Sequence, residues 1–191
     1  MENMNALRAQ CNDCTNCTLC QTRKNVVFGI GPTDAEIMLI GEGPGQQEDL
    51  TGEPFVGPAG QLLDRMLSII GLNRQNCYIA NIVKCRPPQN RDPLPEEQQA
   101  CMPWLEKQIE AIQPKIIVCL GRISAMQFIR DDFRITREHG QWCEQNGIWY
   151  TALFHPSALL RDESHRPETF RDLKSLQEKA HALCAHTNFT R

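Results

Sequence analysis

Four short runs of isoleucine, valine and leucine interrupt an otherwise mixed sequence. They cover residues 36–41, 77–83, 115–121 and 148–154. Each run has the length of a β-strand and is bounded by glycine or polar residues. The pattern therefore predicts four strands.

Longer stretches between and after these runs have apolar residues at helical spacing. They cover residues 59–70, 95–112 and 168–184, and a short helix is also expected before Cys11. Pro95 is followed by two glutamates, which is typical of a helix start, because proline suits the first turn and acids suit the positive end of the helix dipole.

Strands that alternate with helices predict an α/β fold. We expect a three-layer sandwich in which a central, mostly parallel four-stranded sheet is flanked by helices. The chain has 191 residues, enough for one core, and no repeat or linker divides it, so residues 1–191 are expected to form a single domain. Ligands of such sheets bind outside the carboxyl ends of the strands, which selects residues 42–55, 81–91 and 155–161.

The composition excludes some classes of protein. No run of eighteen apolar residues and no secretion signal occurs, so we expect no membrane association and a cytoplasmic protein. A formal net charge of -3 does not indicate a nucleic-acid partner. Any DNA-binding surface must be local, with Arg86 and Arg91 in one basic stretch and Arg161 in another. Charge alone favours an ordinary solvated face for both stretches.

The loop GEGPGQQED begins where the first predicted strand ends. Gly41, Gly43 and Gly45 would let backbone amides approach a ligand closely. The lysine and hydroxyl residue of a nucleotide P-loop are missing, and the spacing is not that of a dinucleotide-binding fingerprint. Glu42 and Glu48 add candidate acid or base groups, or they are exposed loop charges.

Three further side chains lie where strands end or loops begin. Phe55 could stack on a flat ligand, although core packing is the simpler interpretation. Asn81 could pair with a base edge, or it could close a strand end through its backbone bonds. His155 could donate a hydrogen bond to a developing anion, or it could be structural.

The segment that follows His155 carries two leucines and an arginine. Leu159 and Leu160 would suit a wedge between base pairs if the segment is an exposed loop, and Arg161 would suit a clamp on phosphate. The alternative is the first turn of a helix that packs onto the core.

Ten cysteines in an intracellular chain of this size indicate metal or iron–sulfur binding more than disulfides. The run CNDCTNCTLC resembles a ferredoxin-type array, and a zinc site built from the same four thiols is the alternative. The proline expected after the last ferredoxin cysteine is missing. Cys85 and Cys101, in contrast, lie near the predicted strand-end loops.

Taken together and in order, several segments resemble the family 4 uracil-DNA glycosylases. They are CTNCTLCQTRKNVVFG, GEGPGQQED, TGEPFVGPAGQLLDRML, YIANIVKCRPPQNRDP with the downstream EEQQAC, and FHPSALLR. The matching segments extend from Cys14 to Arg161. The resemblance implies the uracil-DNA glycosylase-like α/β fold.

It also implies a [4Fe–4S] cluster bound by two amino-terminal cysteines and two later ones. The matching positions are Cys14, Cys17, Cys85 and Cys101. Cys11 and Cys20 fall outside the pattern and are extra thiols. Residues 1–30 are then an amino-terminal cluster-binding segment, and the cluster's expected role is structural, since base excision needs no electron transfer.

The implied activity is that of a monofunctional DNA glycosylase in base excision repair. It hydrolyses the N-glycosidic bond of uracil in single- and double-stranded DNA and leaves an abasic site. The resemblance assigns Phe55 to stacking on the flipped base, Asn81 to its Watson–Crick edge and His155 to its O2. Backbone amides of the 41–45 loop add donors for the leaving base.

The water-positioning group has to be found separately. In the best-known uracil glycosylases an aspartate two residues after the loop's first glycine orients the water, and here that position is Gly43. Glu42 is our first candidate for this task and Glu48 the second. Glu48 is also a candidate to exclude thymine by crowding its C5 methyl.

Two alternatives belong to other classes of protein. A relative that captures uracil sites covalently would carry a basic insertion with a histidine nucleophile after KCRPP, and PPQNRDP has neither. An electron carrier would use only the amino-terminal thiols. Uracil-containing DNA is the expected partner, protein partners are unknown, and monomer is the default state.

Overall fold

The structure is a computed structural model that describes residues 3–189. Its centre is one sheet of five strands in the order β2-β1-β3-β5-β4. The strands are β1 (Ile37–Gly41), β2 (Tyr78–Asn81), β3 (Ile116–Leu120), β4 (Trp142–Gln145) and β5 (Ile148–Leu153). Pairing is parallel except between β4 and β5. The mostly parallel sheet and the four predicted strands, β1, β2, β3 and β5, are confirmed.

The expectation of four strands is wrong by one, because β4 adds an antiparallel edge. Asn146 and Gly147 join β4 to β5, and both have positive φ angles of 53° and 81°. This is the two-residue hairpin turn that an Asn-Gly pair favours. The residues of β4 are only half-buried or exposed, so they lack the apolar run that marks the other strands.

Within residues 3–189, eight α-helices surround the sheet. They are α1 (Met4–Asn12), α2 (Gln46–Thr51), α3 (Pro58–Ile69), α4 (Pro95–Ile112), α5 (Arg122–Phe128), α6 (Ile135–Glu138), α7 (Pro156–Arg161) and α8 (Arg166–Leu183). The predicted helices at 59–70, 95–112 and 168–184 match α3, α4 and α8 within two residues. At the start of α4 the Glu97 carboxylate accepts the amide of Leu94 at 2.8 Å, which caps the first turn.

Alternate residues of the central strands point to opposite faces, and each face has its own apolar core. Met38 and Ile40 of β1 pack with Leu105 of α4 on one face. Ile37 and Leu39 pack with α3, α7 and α8 on the other. The molecule is therefore a three-layer sandwich, as predicted.

The amino-terminal segment packs against the first of these faces. Leu7 and Cys11 of α1 are buried against Phe28, with Trp104 of α4 alongside. Further along, Ile30 forms an isolated antiparallel bridge with Ile79 of β2. Among the described residues no helix is both long and apolar enough to cross a membrane.

Candidate active site and thiol cavity

An open cavity of about 680 Å³ lies at the carboxyl ends of the four parallel strands. The segments that follow β1, β2, β3 and β5 all contribute to its lining, which includes residues 42–48, Asn81, 121–123 and several residues between 154 and 161. This is the edge of the sheet at which ligands of open α/β folds bind.

Phe55 and Asn81 meet over Gly41 at the floor of the cavity. Both side chains are buried, with exposures of 5% and 1%. A Cβ atom placed on Gly41 would lie 2.5 Å from Asn81 Oδ1 and 2.6 Å from Phe55 Cζ, so only glycine fits there. Within the described residues Asn81 Oδ1 is buried and has no hydrogen-bond partner. An acceptor left in this state is costly unless a ligand completes it.

His155 faces the same group, with its ring centroid 5.7 Å from that of Phe55. The backbone N–H of Ser157 donates to His155 Nδ1 at 3.1 Å, and Ser157 Oγ lies 2.7 Å from the same atom. Nδ1 is therefore an acceptor, and the proton of the neutral ring is on Nε2. Burial, together with the charge of Arg161, lowers the pKa of His155 to about 4. The ring is a neutral hydrogen-bond donor at physiological pH.

Glu42 is the first residue after β1 and lines the cavity. Burial raises the pKa of its carboxyl to about 7, and the nearby Asp92 carboxylate adds to the increase. The positive charges of Arg122 and Arg161 act in the opposite direction. A carboxyl group with a pKa near neutrality can accept a proton at physiological pH, which suits a general base.

The other predicted acid, Glu48, has protein partners. Its Oε1 accepts the backbone amides of Val56 at 2.9 Å and Gly57 at 2.8 Å. The carboxylate thus holds the loop that carries Phe55. Glu48 also lines the cavity, as do Gly43 and Gly45.

The predicted DNA-binding arginines lie in different settings. Arg161 lines the cavity and is exposed, and the described residues offer it no hydrogen bond or ion pair. Arg91 also lines the cavity, but it forms a two-pronged ion pair with the buried Glu97 at 2.7 and 2.8 Å. Arg86 is not part of the lining, but it donates at 2.7 Å to Asn90, which is.

The segment after His155 is helix α7, as the alternative interpretation proposed, and its two leucines have different environments. Leu159 is 1% exposed and belongs to the core beneath α3 and α8. Leu160 is 41% exposed. Only Leu160 has the exposure that a wedge requires in this conformation.

Sequence reasoning missed three residues of the site, Asp92, Arg122 and Ser157. Arg122 lines the cavity directly after β3, with its guanidinium 3.2 Å from the carboxylate of Asp92. The rule that selects strand ends would have found Arg122 if it had been applied to the third strand as well. Ser157, which fixes the protonation of His155, lies in the selected segment 155–161, but no feature of the sequence distinguished it from its neighbours there.

A second cavity lies between the amino-terminal segment and α4. Its lining contains Cys11, Cys14, Cys17, Cys20, Cys85 and Cys101. The four cysteines predicted as ligands are therefore brought together from three separate parts of the chain. Within residues 3–189, no three His, Cys, Asp or Glu side chains close on a point that a single metal ion could occupy.

Three of the four predicted ligands have an N–H donor close to their sulfur. Trp104 Nε1 donates to Cys14 Sγ at 3.2 Å, Arg23 to Cys85 Sγ at 3.4 Å and the Lys84 amide to Cys101 Sγ at 3.2 Å.

The backbone of Leu19 acts in the same way on Cys17, where it opposes the increase in thiol pKa that burial causes. In the described part of the chain no such donor reaches the sulfur of Cys11 or Cys20. N–H donors stabilise thiolate sulfur, so this donor set fits an iron–sulfur cluster.

The fold and the cavity agree with a known family. The family model for the uracil DNA glycosylase superfamily matches residues 28–178, a range that includes all five strands. The chain therefore belongs to this superfamily.

Three relatives give the more specific assignment, and each is a type-4 uracil-DNA glycosylase. The protein of Archaeoglobus fulgidus is 44% identical over 93% of this chain and 94% of its own length. That of Thermotoga maritima is 46% identical over 86% of both chains, and that of Saccharolobus solfataricus is 41% identical over 93% of this chain and 87% of its own. The chain is a member of the type-4 uracil-DNA glycosylase family.

Proposed function

We propose that this protein hydrolyses the N-glycosidic bond of uracil in single- and double-stranded DNA and leaves an abasic site for base excision repair. One observation carries the proposal: Phe55, Asn81 and His155 converge on one cavity at the carboxyl ends of the strands. The printed names of the type-4 relatives agree with this activity.

Recognition of uracil follows from the fixed amide. The unpartnered Oδ1 of Asn81 accepts N3–H of the base, and its amide nitrogen donates to O4. Cytosine presents the opposite donor and acceptor at these positions, so buried polar groups would be left unpaired. The Phe55 ring supplies a flat surface on which the extruded base stacks, worth about 1–3 kcal/mol.

Cleavage proceeds through an oxocarbenium-like sugar as uracil leaves as an anion. The neutral His155 donates from Nε2 to the developing charge on O2, assisted by amides of the 41–45 loop. Donors oriented before the reaction stabilise such charge most effectively. A neutral imidazole also avoids the cost of burying a cation in the cavity.

Glu42 is the group that positions and activates the water. Its raised pKa and its place after β1 support this role. Glu48 remains the second candidate, although Oε1 already accepts two amides. Glu48 is also our candidate for excluding thymine, and Glu48→Ala should then gain thymine excision.

The base must leave the duplex before it enters the cavity, which costs a few kcal/mol. Leu160 is exposed and fills the gap that the flipped base leaves. Arg161 contacts the flanking phosphate. Single-stranded DNA is also a substrate, because no paired base has to be unstacked.

Cys14, Cys17, Cys85 and Cys101 hold a [4Fe–4S] cluster in this proposal. The cluster, when bound, supplies cross-linking of the amino-terminal segment to α4 and to the loop after β2, and not redox chemistry. Purified Cys85→Ala and Cys101→Ala variants should lose the brown absorbance and the iron content. A cluster that survives both changes would indicate the local amino-terminal array instead.

The residues of the cavity also indicate whether the enzyme cuts the DNA strand and whether one chain is sufficient for activity. A glycosylase that also cuts the strand uses an amine to form a Schiff base, and the described lining of the cavity contains no lysine. We infer a monofunctional enzyme. One chain supplies all the proposed site residues, which supports a monomer, with residues 1–191 as one domain and residues 1–30 as its cluster-binding segment.

The deciding experiment uses oligonucleotides that differ only in one uracil. Strand scission by alkali, dependent on both the protein and the uracil, is the expected result. Scission without alkali would indicate lyase activity. A stable protein–DNA adduct without turnover would indicate the covalent-capture alternative, and no reaction at all would contradict the proposed function.

A further inference from the structure

Phe55 has a backbone conformation that bulky residues rarely adopt. Its φ angle is +55°, in the left-handed region. Crowding of Cβ disfavours this region for residues other than glycine, so it persists only where neighbouring groups hold it. Contacts on both sides of Phe55 do so.

Arg74 donates hydrogen bonds to two carbonyl groups of this turn. It lies in the connection between α3 and β2, and its Nη1 donates to the carbonyl oxygen of Pro54 at 2.8 Å. Its Nη2 donates to the carbonyl oxygen of Phe55 itself. Nε is bound to Asp64 Oδ1 of α3 at 2.8 Å, which fixes the plane of the guanidinium. The arginine therefore ties the turn before α3 to the body of that helix.

Two further residues complete the arrangement. The carbonyl group of Phe55 packs onto Gly60, where any Cβ atom would overlap with it. The Glu48 carboxylate accepts hydrogen bonds from the N–H groups of Val56 and Gly57, the two residues that follow Phe55. The peptide group between Phe55 and Val56 is thus fixed by a cation on its carbonyl oxygen and an anion on its amide.

We propose that Arg74 is a positioning residue for base stacking: it fixes the left-handed turn at Phe55 and thereby holds the ring over Gly41 beside the Asn81 amide. This inference rests on the proposed function, since it assumes that Phe55 stacks on the base. Arg74 is 24% exposed and lies outside the cavity lining, so it acts on the base only through Phe55.

The test measures inhibition by free uracil, together with KM and kcat on a uracil-containing oligonucleotide. Stacking on an aromatic ring contributes about 5- to 150-fold in affinity. Arg74→Met keeps the apolar stem and removes all donors, so it should weaken uracil inhibition about tenfold and raise KM. Arg74→Lys keeps one donor and should fall between. Arg65→Met is the matched control: Arg65 is an exposed arginine of α3 that makes none of these hydrogen bonds, so its loss should change neither value by more than about twofold.

A double-mutant cycle separates positioning from general stabilisation. In a Phe55→Ala background there is no ring to hold, so Arg74→Met should add less than about twofold to uracil inhibition. An equal loss in both backgrounds would overturn the inference. If Arg74→Met does not fold, Arg74→Lys carries the same cycle.

The wild-type protein and Phe55→Ala distinguish a failure of the proposed function from a failure of the inference about Arg74. If the wild type excises no uracil, the proposed function fails and this inference fails with it. If the wild type excises uracil and Phe55→Ala weakens its binding, but the Arg74 change is additive, only the inference about Arg74 fails.

Discussion

Two glutamates bracket β1, six residues apart, and their environments are opposite. Glu36 precedes the strand, and its carboxylate accepts the amides of residues 185–187 at 2.7 to 2.9 Å and pairs with Lys115 at 2.8 Å. Burial alone would raise its pKa, but these hydrogen bonds outweigh burial and hold the pKa at about 2. Glu36 is an anchor for the carboxyl-terminal segment.

Glu42 follows the same strand and has no protein donor for its carboxylate in the described part of the chain. Burial and the charge of Asp92 raise its pKa to about 7. The two residues differ in their partners, not in residue type or in their distance from the sheet. A carboxylate with all its donors in place stabilises the fold, whereas one left without donors is available for chemistry.

The largest expected effect comes from Glu42→Gln. The amide keeps the shape but cannot accept a proton, so kcat on a uracil-containing oligonucleotide should fall by about 10²- to 10⁴-fold. Affinity for the DNA should remain within about threefold, because the base contacts are unchanged. Single-turnover cleavage and fluorescence anisotropy measure the two quantities. Wild-type turnover in this variant would remove Glu42 from the mechanism.

Glu36→Gln should affect stability and leave activity intact. A group with a depressed pKa contributes stability above its unfolded value, here near 4.5, and loses that contribution as pH falls through about 2. After a discount for solvent screening near the surface, the loss at pH 7 is about 2 kcal/mol. The thermal midpoint should fall by about 4–8 °C, while kcat at 25 °C is unchanged.

A Glu36→Gln variant that excised uracil more slowly, or that had the thermal midpoint of the wild type, would contradict the structural role of Glu36. Differential scanning fluorimetry at pH 7 and pH 3 checks the direction, because the gap between the two proteins should narrow at the lower pH. Lys115→Met removes one partner of the same carboxylate and is the matched control.

The central strands and the long helices could be predicted because local patterns of apolar residues indicate which of their positions are buried. The continuous apolar residues of β1 and β3 and the helical spacing of α4 need no tertiary information. β4 could not be found from an apolar run, since its residues are only half-buried or exposed, although Asn146 and Gly147 were a usable signal.

The candidate site was predictable only in part. Strand ends and the family resemblance point to Glu42, Asn81 and His155. The contacts that set their chemistry are long-range: Asp92 lies 50 residues from Glu42, and Arg74 lies 19 from Phe55. No local pattern records such pairs, so only the fold itself identifies them.

The pH dependence of kcat sharpens the contrast between the two glutamates. Glu42 must be ionised to activate water, so kcat should rise through a pKa of about 7 and fall about tenfold for each pH unit below it. His155, with a pKa of about 4, stays neutral between pH 5 and 9 and adds no second limb there. Single-turnover rates from pH 5 to 9 give the profile.

Asp92→Asn tests one cause of the raised pKa of Glu42. It removes a like charge near Glu42, so the acid limb should move to lower pH while the plateau rate stays the same. A limb that remains at the wild-type position would mean that another group titrates.

The smallest effect is expected outside the two glutamates, at Leu160. If this exposed side chain fills the gap left by the flipped base, Leu160→Ala should slow excision from duplex DNA about five- to tenfold, because unstacking is no longer compensated. Excision from single-stranded DNA should stay within about twofold. Ile69→Ala is the matched control, since Ile69 is exposed to a similar extent, 47%, and lies outside the cavity lining. An equal loss on both substrates would place Leu160 in support of His155 through α7, and not in the duplex.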